Sequence, residues 1–272
     1  MWNEWINESV DCLRWYIKRN KLKSIVIGLS GGIDSTVSAI ICYLALKDIS
    51  DCKLIGRSLP IKNAGDDTYI ANQIGKVLCD DFRAVDMLKF FENFRNSFYE
   101  VESAENATNI SDGNIMARLR MMYLYQLASL NKGIVIDTDN LSEHMLGFYT
   151  IHGDVGDYNV GIRYLYKHEI WDLAKELVNW VPEVKQNVLA SVALAPTDGN
   201  VGGTDMDQIA PGMTYNDVDT ILAGLESRKA YNAVIKEYGI ELVDKVESRV
   251  IANDFKDKLP ITLDPMKQLG HG

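Results

Sequence analysis

The chain has 272 residues, 47% of them hydrophobic and only 6 prolines, so it can bury one large core, and a single domain with helical additions is expected. Its formal net charge of -10 argues against a broad nucleic-acid or anionic-membrane surface, because phosphate backbones require clustered lysine and arginine. Any anionic substrate must then be met by a few local cations, and no apolar run is long enough to span a bilayer. Cys12, Cys42, Cys52 and Cys79 fit no zinc spacing and are expected as buried, reduced thiols in a cytoplasmic protein.

Trp2, Trp5, Ile6, Val10, Leu13 and Ile17 recur at helical spacing and predict an amphipathic helix over residues 1–20, without the apolar centre of a signal peptide. An apolar run, Ile25 to Leu29, then meets Ser30-Gly31-Gly32-Ile33-Asp34-Ser35 and an apolar-periodic segment, Thr36 to Leu46. This is strand, glycine loop, helix. Two glycines let backbone amides approach an anion closely, and the helix that starts at Asp34 or Ser35 aims its free amides at the same point. No Gly-Lys-Ser/Thr follows, so no lysine here reaches outer phosphates. Asp34 stands there instead, and a carboxylate at a phosphate site makes sense with Mg²⁺ between them. A plain strand-to-helix turn with a serine cap is the alternative.

Leu54 to Leu59 predicts a second strand, a helix carries Ile70, Ile74, Val77 and Leu78, and Phe82 to Val85 predicts a third strand. An aromatic-rich helix, Met87 to Tyr99, and a long helix, Ser111 to Leu130, lead to a fourth buried strand, Gly133 to Asp137. The fold class is therefore α/β, a doubly wound, mostly parallel sheet flanked by helices, with helical C-terminal additions. Ligands of such sheets sit beyond the carboxyl ends of the strands, where both Ser30 and Thr138 fall. After Asn140 come a short helix, a Gly- and Asp-rich loop from Gly147 to Gly161, a faint fifth strand and a helix, Lys167 to Trp180. Ala195 to Gly212 is long for a connection and reads as an irregular lid. Thr214 and Asp217 form a capping pair for a helix through Leu225, more helix runs to about Phe255, and Pro260 to Gly272 is irregular.

Two arginines, Arg118 and Arg120, lie near the start of the long helix on different faces, and solvated helix arginines are the plain reading. In Asp137-Thr138-Asp139-Asn140-Leu141-Ser142-Glu143, Thr138 can hydrogen-bond a nucleotide, while Glu143, one turn into a helix, can reach a metal held by Asp34. Taken alone, Glu143 is a carboxylate favoured by the helix dipole. His144, His152 and His168 are expected as structural or surface groups, and Asp205, Asp207, Asp217 and Asp219 as a solvated acidic face.

The hexapeptide Ser30 to Ser35 resembles the pyrophosphate loop of the ATP pyrophosphatases. With Gly113 to Arg118, Asp137 to Glu143, Gly147-Phe148-Tyr149-Thr150, Gly153-Asp154, Lys167, Pro196-Thr197-Asp198 and Thr204-Asp205, the chain resembles the ammonia-dependent NAD synthetases over most of its length. The resemblance implies a sheet of adenine-nucleotide hydrolase type and amidation of deamido-NAD by ammonia through an acyl adenylate. It also implies Mg²⁺, ATP as co-substrate, and a homodimer whose interface helps to form the dinucleotide site. Carried over, Gly28, Leu29, Ser30, Gly31, Gly32, Ile33, Asp34 and Ser35 bind ATP, as do Thr138, Lys167 and Thr197. Asp34 and Glu143 hold Mg²⁺, and with Lys167 they supply the catalytic electrostatics; Arg118 contacts deamido-NAD. Two departures stand out. Ile151 replaces a lysine found in many members, and the acidic loop aligns only with a one-residue shift that brings in Asp157. Lys256 stands in for a C-terminal basic element. Other readings are another amidating synthetase of the same loop type, a tRNA-modifying ligase, which the negative charge disfavours, and an ATP-binding module without turnover. The length is expected to leave no room for an attached glutaminase domain, which makes free ammonia the donor. The layout is one domain: a helix at 1–20, a core at 21–180, and a lid with C-terminal helices at 181–272.

Overall fold

The structure is a computed structural model that describes residues 1–61, 65–105, 107–194 and 205–258. Thr197, the lid residues 195–204 and the tail from Pro260 lie outside the described residues. Helix α1 (Trp2–Asn20) buries Ile6, Val10, Leu13 and Ile17 along one stripe and stops where Lys21 turns left-handed at φ 53°. Its stripe joins one apolar cluster with the interior of α2 (Ile33–Leu46). Cys12 lies off that stripe and is exposed, which corrects the expectation of a buried thiol, whereas Cys42 and Cys52 are buried and unpaired.

The strands are β1 (Ser24–Gly28), β2 (Lys53–Ser58), β3 (Asp81–Ala84), β4 (Gly133–Asp137) and β5 (Tyr158–Asn159). They form one parallel sheet in the order β3-β2-β1-β4-β5. Strand β5 pairs only Tyr158 with Ile136 and Asn159 with Asp137, too short for any two-residue periodicity to mark it in sequence. Side chains alternate across the sheet. Ile25 and Ile27 of β1 join the cluster containing α1, α2 and the inner residues of α7 (Lys167–Trp180) and α8 (Lys185–Ala193). Val26, with Ile55 and Val135, faces the opposite layer, where α4 (Leu88–Val101) contributes Phe91 and α5 (Asn109–Leu130) contributes Met116, Leu119 and Leu124. Both faces are thus covered, which is why these strands read as continuous apolar runs. Helix α3 (Asp66–Leu78) joins β2 to β3, and α6 (Leu141–Leu146) follows β4.

A third cluster forms the C-terminal layer, in which α9 (Tyr215–Gly224), α10 (Arg228–Tyr238) and α11 (Ile240–Asn253) enclose Val218, Leu222, Val234 and Val243 against Leu146 of α6. Thr214 and Asp217 cap α9 reciprocally, as their spacing predicts. Two features depart from the sequence reading. Residues Asp205–Gln208 make a 3-10 turn rather than irregular chain, because Met206 is 1% exposed and its burial contributes about 2 kcal/mol to holding the turn down. Asp219 is fully buried instead of belonging to a solvated acidic face. Helix α8 falls in a stretch to which the sequence pattern assigns no element. Among the described residues no helix is long and apolar enough to cross a membrane.

Candidate active site

Strands β1 and β4 are adjacent, yet the chain leaves them toward opposite sides of the sheet, so the loops after Gly28 and Asp137 separate and leave a crevice. The first wall is the glycine loop. Gly31 has φ +89°, and a Cβ there would lie 2.0 Å from the Asp67 carbonyl oxygen, so no other residue fits. Ser30 Oγ accepts from Gly32 N at 3.1 Å, Ser35 Oγ donates to Gly32 O at 3.0 Å, and Ser191 Oγ of α8 donates to Gly31 O at 2.9 Å. Helix α2 begins directly behind Gly32 with no side chain capping it, leaving first-turn amides for an anion.

The second wall begins at Asn140, which caps α6 by accepting from Glu143 N at 3.0 Å and reaches across the crevice to donate to Asp34 Oδ1 at 2.8 Å. The first residue of α7, Lys167, is 4% exposed; its Nζ donates to Asp34 Oδ2 and, at 3.0 Å, to Glu143 Oε1. Burial alone would lower the Lys167 pKa, but Asp34 and Glu143 overcome it and hold the ammonium above its ordinary value. Glu143 is pushed up to about 7, first by burial and then by Asp34, against the pull of Lys167. Lys167 offsets one of the two carboxylate charges, and the trio carries net negative charge when both are ionised.

Behind this trio a buried polar relay fixes the start of α7. Ser142 Oγ accepts from Lys167 N at 2.9 Å and donates to Asp219 Oδ1, while Asp219 Oδ2 accepts from His168 N at 2.9 Å and meets His168 Nδ1 at 2.9 Å. Asp219 thereby ties the C-terminal layer to the residue that pairs Asp34 with Glu143.

A folded-state pKa near 7 against an ordinary 4.5 means that Glu143 stabilises the fold fully below about pH 4.5 and that this contribution is lost as pH rises through 7. In metal-free buffer, denaturant unfolding should show wild-type stability falling between about pH 5 and 8 relative to Glu143→Gln, by up to about 3 kcal/mol. Parallel curves for the two proteins would remove the shift.

The crevice opens into a cleft of about 750 Å³ lined by Gly28, Leu29, Ser30, Asp34, Ser35, Thr138, Glu143 and Lys256 among others. Those eight are all residues singled out in the sequence. Gly31, Gly32 and Ile33 make the turn of the loop, and Lys167 reaches the cleft carboxylates from the α7 side. Lys256 Nζ donates to the carbonyls of Gly147 at 2.6 Å and Tyr149 at 3.1 Å. Two predicted residues lie apart from the cleft wall. Arg118 is exposed, with Nε on the Ile151 carbonyl at 3.1 Å, and Asp157 accepts from Val135 N and Tyr125 Oη, both at 3.0 Å, beside the sheet edge. Conversely, Arg120 lines the cleft, with Nε on the Leu59 carbonyl at 3.0 Å, and so does Asp139. The sequence signal for both was weak: Arg120 shared its helix with Arg118, and within the Asp137–Glu143 run Thr138 and Glu143 carry the clearer roles.

A doubly wound sheet whose switch point joins an anion-cradling loop to buried carboxylates defines a nucleotide-binding protein of the α/β class. The profile of the family described as NAD synthase matches residues 5–260. The NH(3)-dependent NAD(+) synthetase of Campylobacter jejuni is 29% identical over 263 residues, 97% of this chain and 99% of that protein. A solved structure of an NH3-dependent NAD synthetase from the same species, in complex with the nitrate ion, superposes with TM-score 0.74 at 27% identity, covering 97% of this chain and 100% of that one. The structure of an NMN synthetase from Francisella tularensis superposes with TM-score 0.76 at 29% identity, covering 97% and 99%. The chain belongs to the NAD synthase family, and it is a ligase with ATP as co-substrate.

Proposed function

We propose that this chain amidates deamido-NAD with ammonia, cleaving ATP to AMP and pyrophosphate. The observation that carries this reading is the convergence on one cleft of the glycine loop, Thr138 and the Asp34–Lys167–Glu143 trio. A nicotinate carboxylate resists ammonia, so its oxygen first attacks the α-phosphate of ATP and pyrophosphate leaves. Ammonia then attacks the acyl carbon and AMP leaves. In this reading the loop amides and the α2 N-terminus hold phosphate oxygens, Thr138 and Thr197 contact the nucleotide, and Arg120 offers a cation in the cleft. Lys256, held at the Gly147 and Tyr149 carbonyls, is assigned to the dinucleotide, and Arg118 and Asp157, which lie apart from this chain's cleft wall, are assigned to the part of the dinucleotide site that the homodimer interface helps to form. Placement of carboxylate against phosphate supplies much of the remaining rate.

Asp34 and Glu143 fit Mg²⁺. They present hard carboxylate oxygens on the cleft wall, they carry more negative charge than Lys167 offsets, and a two-carboxylate set leaves other positions for phosphate and water. Among the described residues no group of three or more His, Cys, Asp and Glu is disposed to hold a metal. Mg²⁺ bound there would neutralise charge on the pyrophosphate.

Purified chain with Mg-ATP, ammonium and deamido-NAD should form NAD, AMP and pyrophosphate in equal amounts, whereas glutamine free of ammonia should not serve. No pyrophosphate release dependent on the acceptor would overturn the reading. A second acceptor to compare is nicotinate mononucleotide, which would give NMN, the product named for the Francisella enzyme, and kcat/KM for the two acceptors decides between them.

The same reading includes a homodimer, in one domain per chain and a cytoplasmic setting that suits the free thiols. Helix α4 presents Phe90, Phe94, Phe98 and Val101 to solvent at 44–83% exposure, with Met122 of α5 exposed as well, a larger apolar face than a monomer usually leaves open. Phe94→Asp should convert the dimer to monomer in sedimentation at micromolar concentration. A dimer of unchanged affinity would place the interface elsewhere.

A further inference from the structure

The first two amides of α7 are held by side chains of two other helices. Lys167 N donates to Ser142 Oγ of α6 at 2.9 Å, and His168 N donates to Asp219 Oδ2 of α9 at 2.9 Å. Asp219 is fully buried, and it also accepts from Ser142 Oγ at Oδ1 and from His168 Nδ1 at Oδ2, the latter at 2.9 Å. One turn earlier on α9, Tyr215 sets its ring 5.4 Å from the Lys167 ammonium. Helix α9 therefore meets Lys167 at both ends, through Ser142 at the amide and through Tyr215 at Nζ.

A helix start can be capped from the surface, as Thr214 caps α9. Enclosing a carboxylate completely is costly even when its hydrogen bonds are made, so burial of Asp219 is a poor way to gain stability alone. What it supplies is a common frame for two residues of the trio. Ser142 precedes Glu143 in α6 and holds the amide of Lys167, so one carboxylate fixes the backbone on both sides of the Lys167–Glu143 pair. The lysine side chain is long and flexible, and a drift of its backbone carries Nζ out of line with the carboxylates. A misplacement of about 1 Å in a group that acts on the reacting centre costs on the order of 10²-fold in rate. We propose that Asp219 is a positioning residue for the amidation reaction, acting through Ser142 to hold Lys167 in register with Asp34 and Glu143. The inference rests on the function proposed above and on the trio's role at the phosphates. Neither Asp219 nor Ser142 lines the cleft, so neither is placed to touch a substrate.

Ser142→Ala cuts the link to Lys167 and leaves Asp219 bonded to His168, whereas Asp219→Asn puts a donor where only acceptors are wanted. Each should lower kcat at least tenfold, with ATP–pyrophosphate exchange dependent on deamido-NAD falling in parallel, because the trio acts on adenylation. The KM for deamido-NAD should stay within threefold. Thr214→Ala is the control: it removes the cap of the same helix, so the unfolding temperature should fall while kcat stays within twofold. Turnover that follows unfolding temperature across all three variants makes the role of Asp219 structural and overturns the proposal. So does a folded Ser142→Ala with kcat within twofold of wild type. Added to Lys167→Met, Ser142→Ala should cost less than twofold further, as expected of a residue that acts through Lys167, and a further tenfold loss overturns that route. Should Asp219→Asn not fold, Ser142→Ala decides by itself. Wild-type protein without acceptor-dependent exchange would overturn the reaction, whereas normal wild-type exchange with an unaffected Ser142→Ala overturns the positioning role alone.

Discussion

Asp34→Asn is expected to lower turnover by roughly 10²–10³-fold, about 3–4 kcal/mol of barrier, with little loss of stability. The asparagine keeps an oxygen for the bond from Asn140 Nδ2, and Lys167 keeps Glu143 as its partner at 3.0 Å, so the packing around the α2 N-terminus survives. What disappears is one unit of negative charge on the cleft wall. A cation accompanying the phosphates then has a single carboxylate, and Lys167 competes with it for that carboxylate. Steady-state rates across a Mg²⁺ titration, with unfolding curves alongside, test this. A variant that keeps near wild-type turnover at limiting Mg²⁺ removes Asp34 from the phosphate site.

Lys167→Met should act on the fold as strongly as on the chemistry. The side chain is 4% exposed and its ammonium is the group that separates two carboxylates, so an apolar chain of similar length leaves Asp34 and Glu143 facing each other unpaired. Breaking a buried ion pair in this way costs about 3–5 kcal/mol, on the order of 10 °C in unfolding temperature for a domain of this size. The cost should be greatest near pH 8 and shrink toward pH 5, because Glu143 takes up a proton in that range and the repulsion vanishes. Adding Glu143→Gln to Lys167→Met should recover part of the loss. Equal destabilisation at both pH values, or no recovery in the double variant, would mean that lost packing rather than unpaired charge dominates.

Much of the scaffold was legible in the sequence. The four longer strands are short apolar runs bounded by turn residues, α1 carries its stripe at helical spacing, and the cap at Thr214 is visible as a residue pair three apart. The glycine loop was legible because Gly31 is needed at φ +89° and because strand, loop and helix follow one another directly. The loop after β4 could be joined to the same site, since Ser30 and Thr138 both fall just beyond carboxyl ends of strands. The fifth strand and α8 were not legible, for two residues of β5 carry no period and α8 is held mainly by residues distant in the chain, such as Gly31 at the Ser191 hydroxyl.

The division follows from the range over which each force acts. Periodicity, capping and turn chemistry depend on neighbours within about four residues, so the sequence by itself determined the four longer strands and most of the helices, and it pointed to Asp34, Thr138 and Glu143 at the carboxyl ends of strands. The partners of charges depend on what the sheet order brings together. Lys167 meets Asp34 across 133 positions and Asn140 meets Asp34 across 106, and no local pattern records either pairing. The tertiary structure alone decided that Asp219 is buried under Ser142 and His168, that Asp157 is engaged by Val135 N and Tyr125 Oη beside the sheet edge, and that Asp139 is left with no donor, because the electrostatic environment of a carboxylate is set by burial and by charges contributed from other elements.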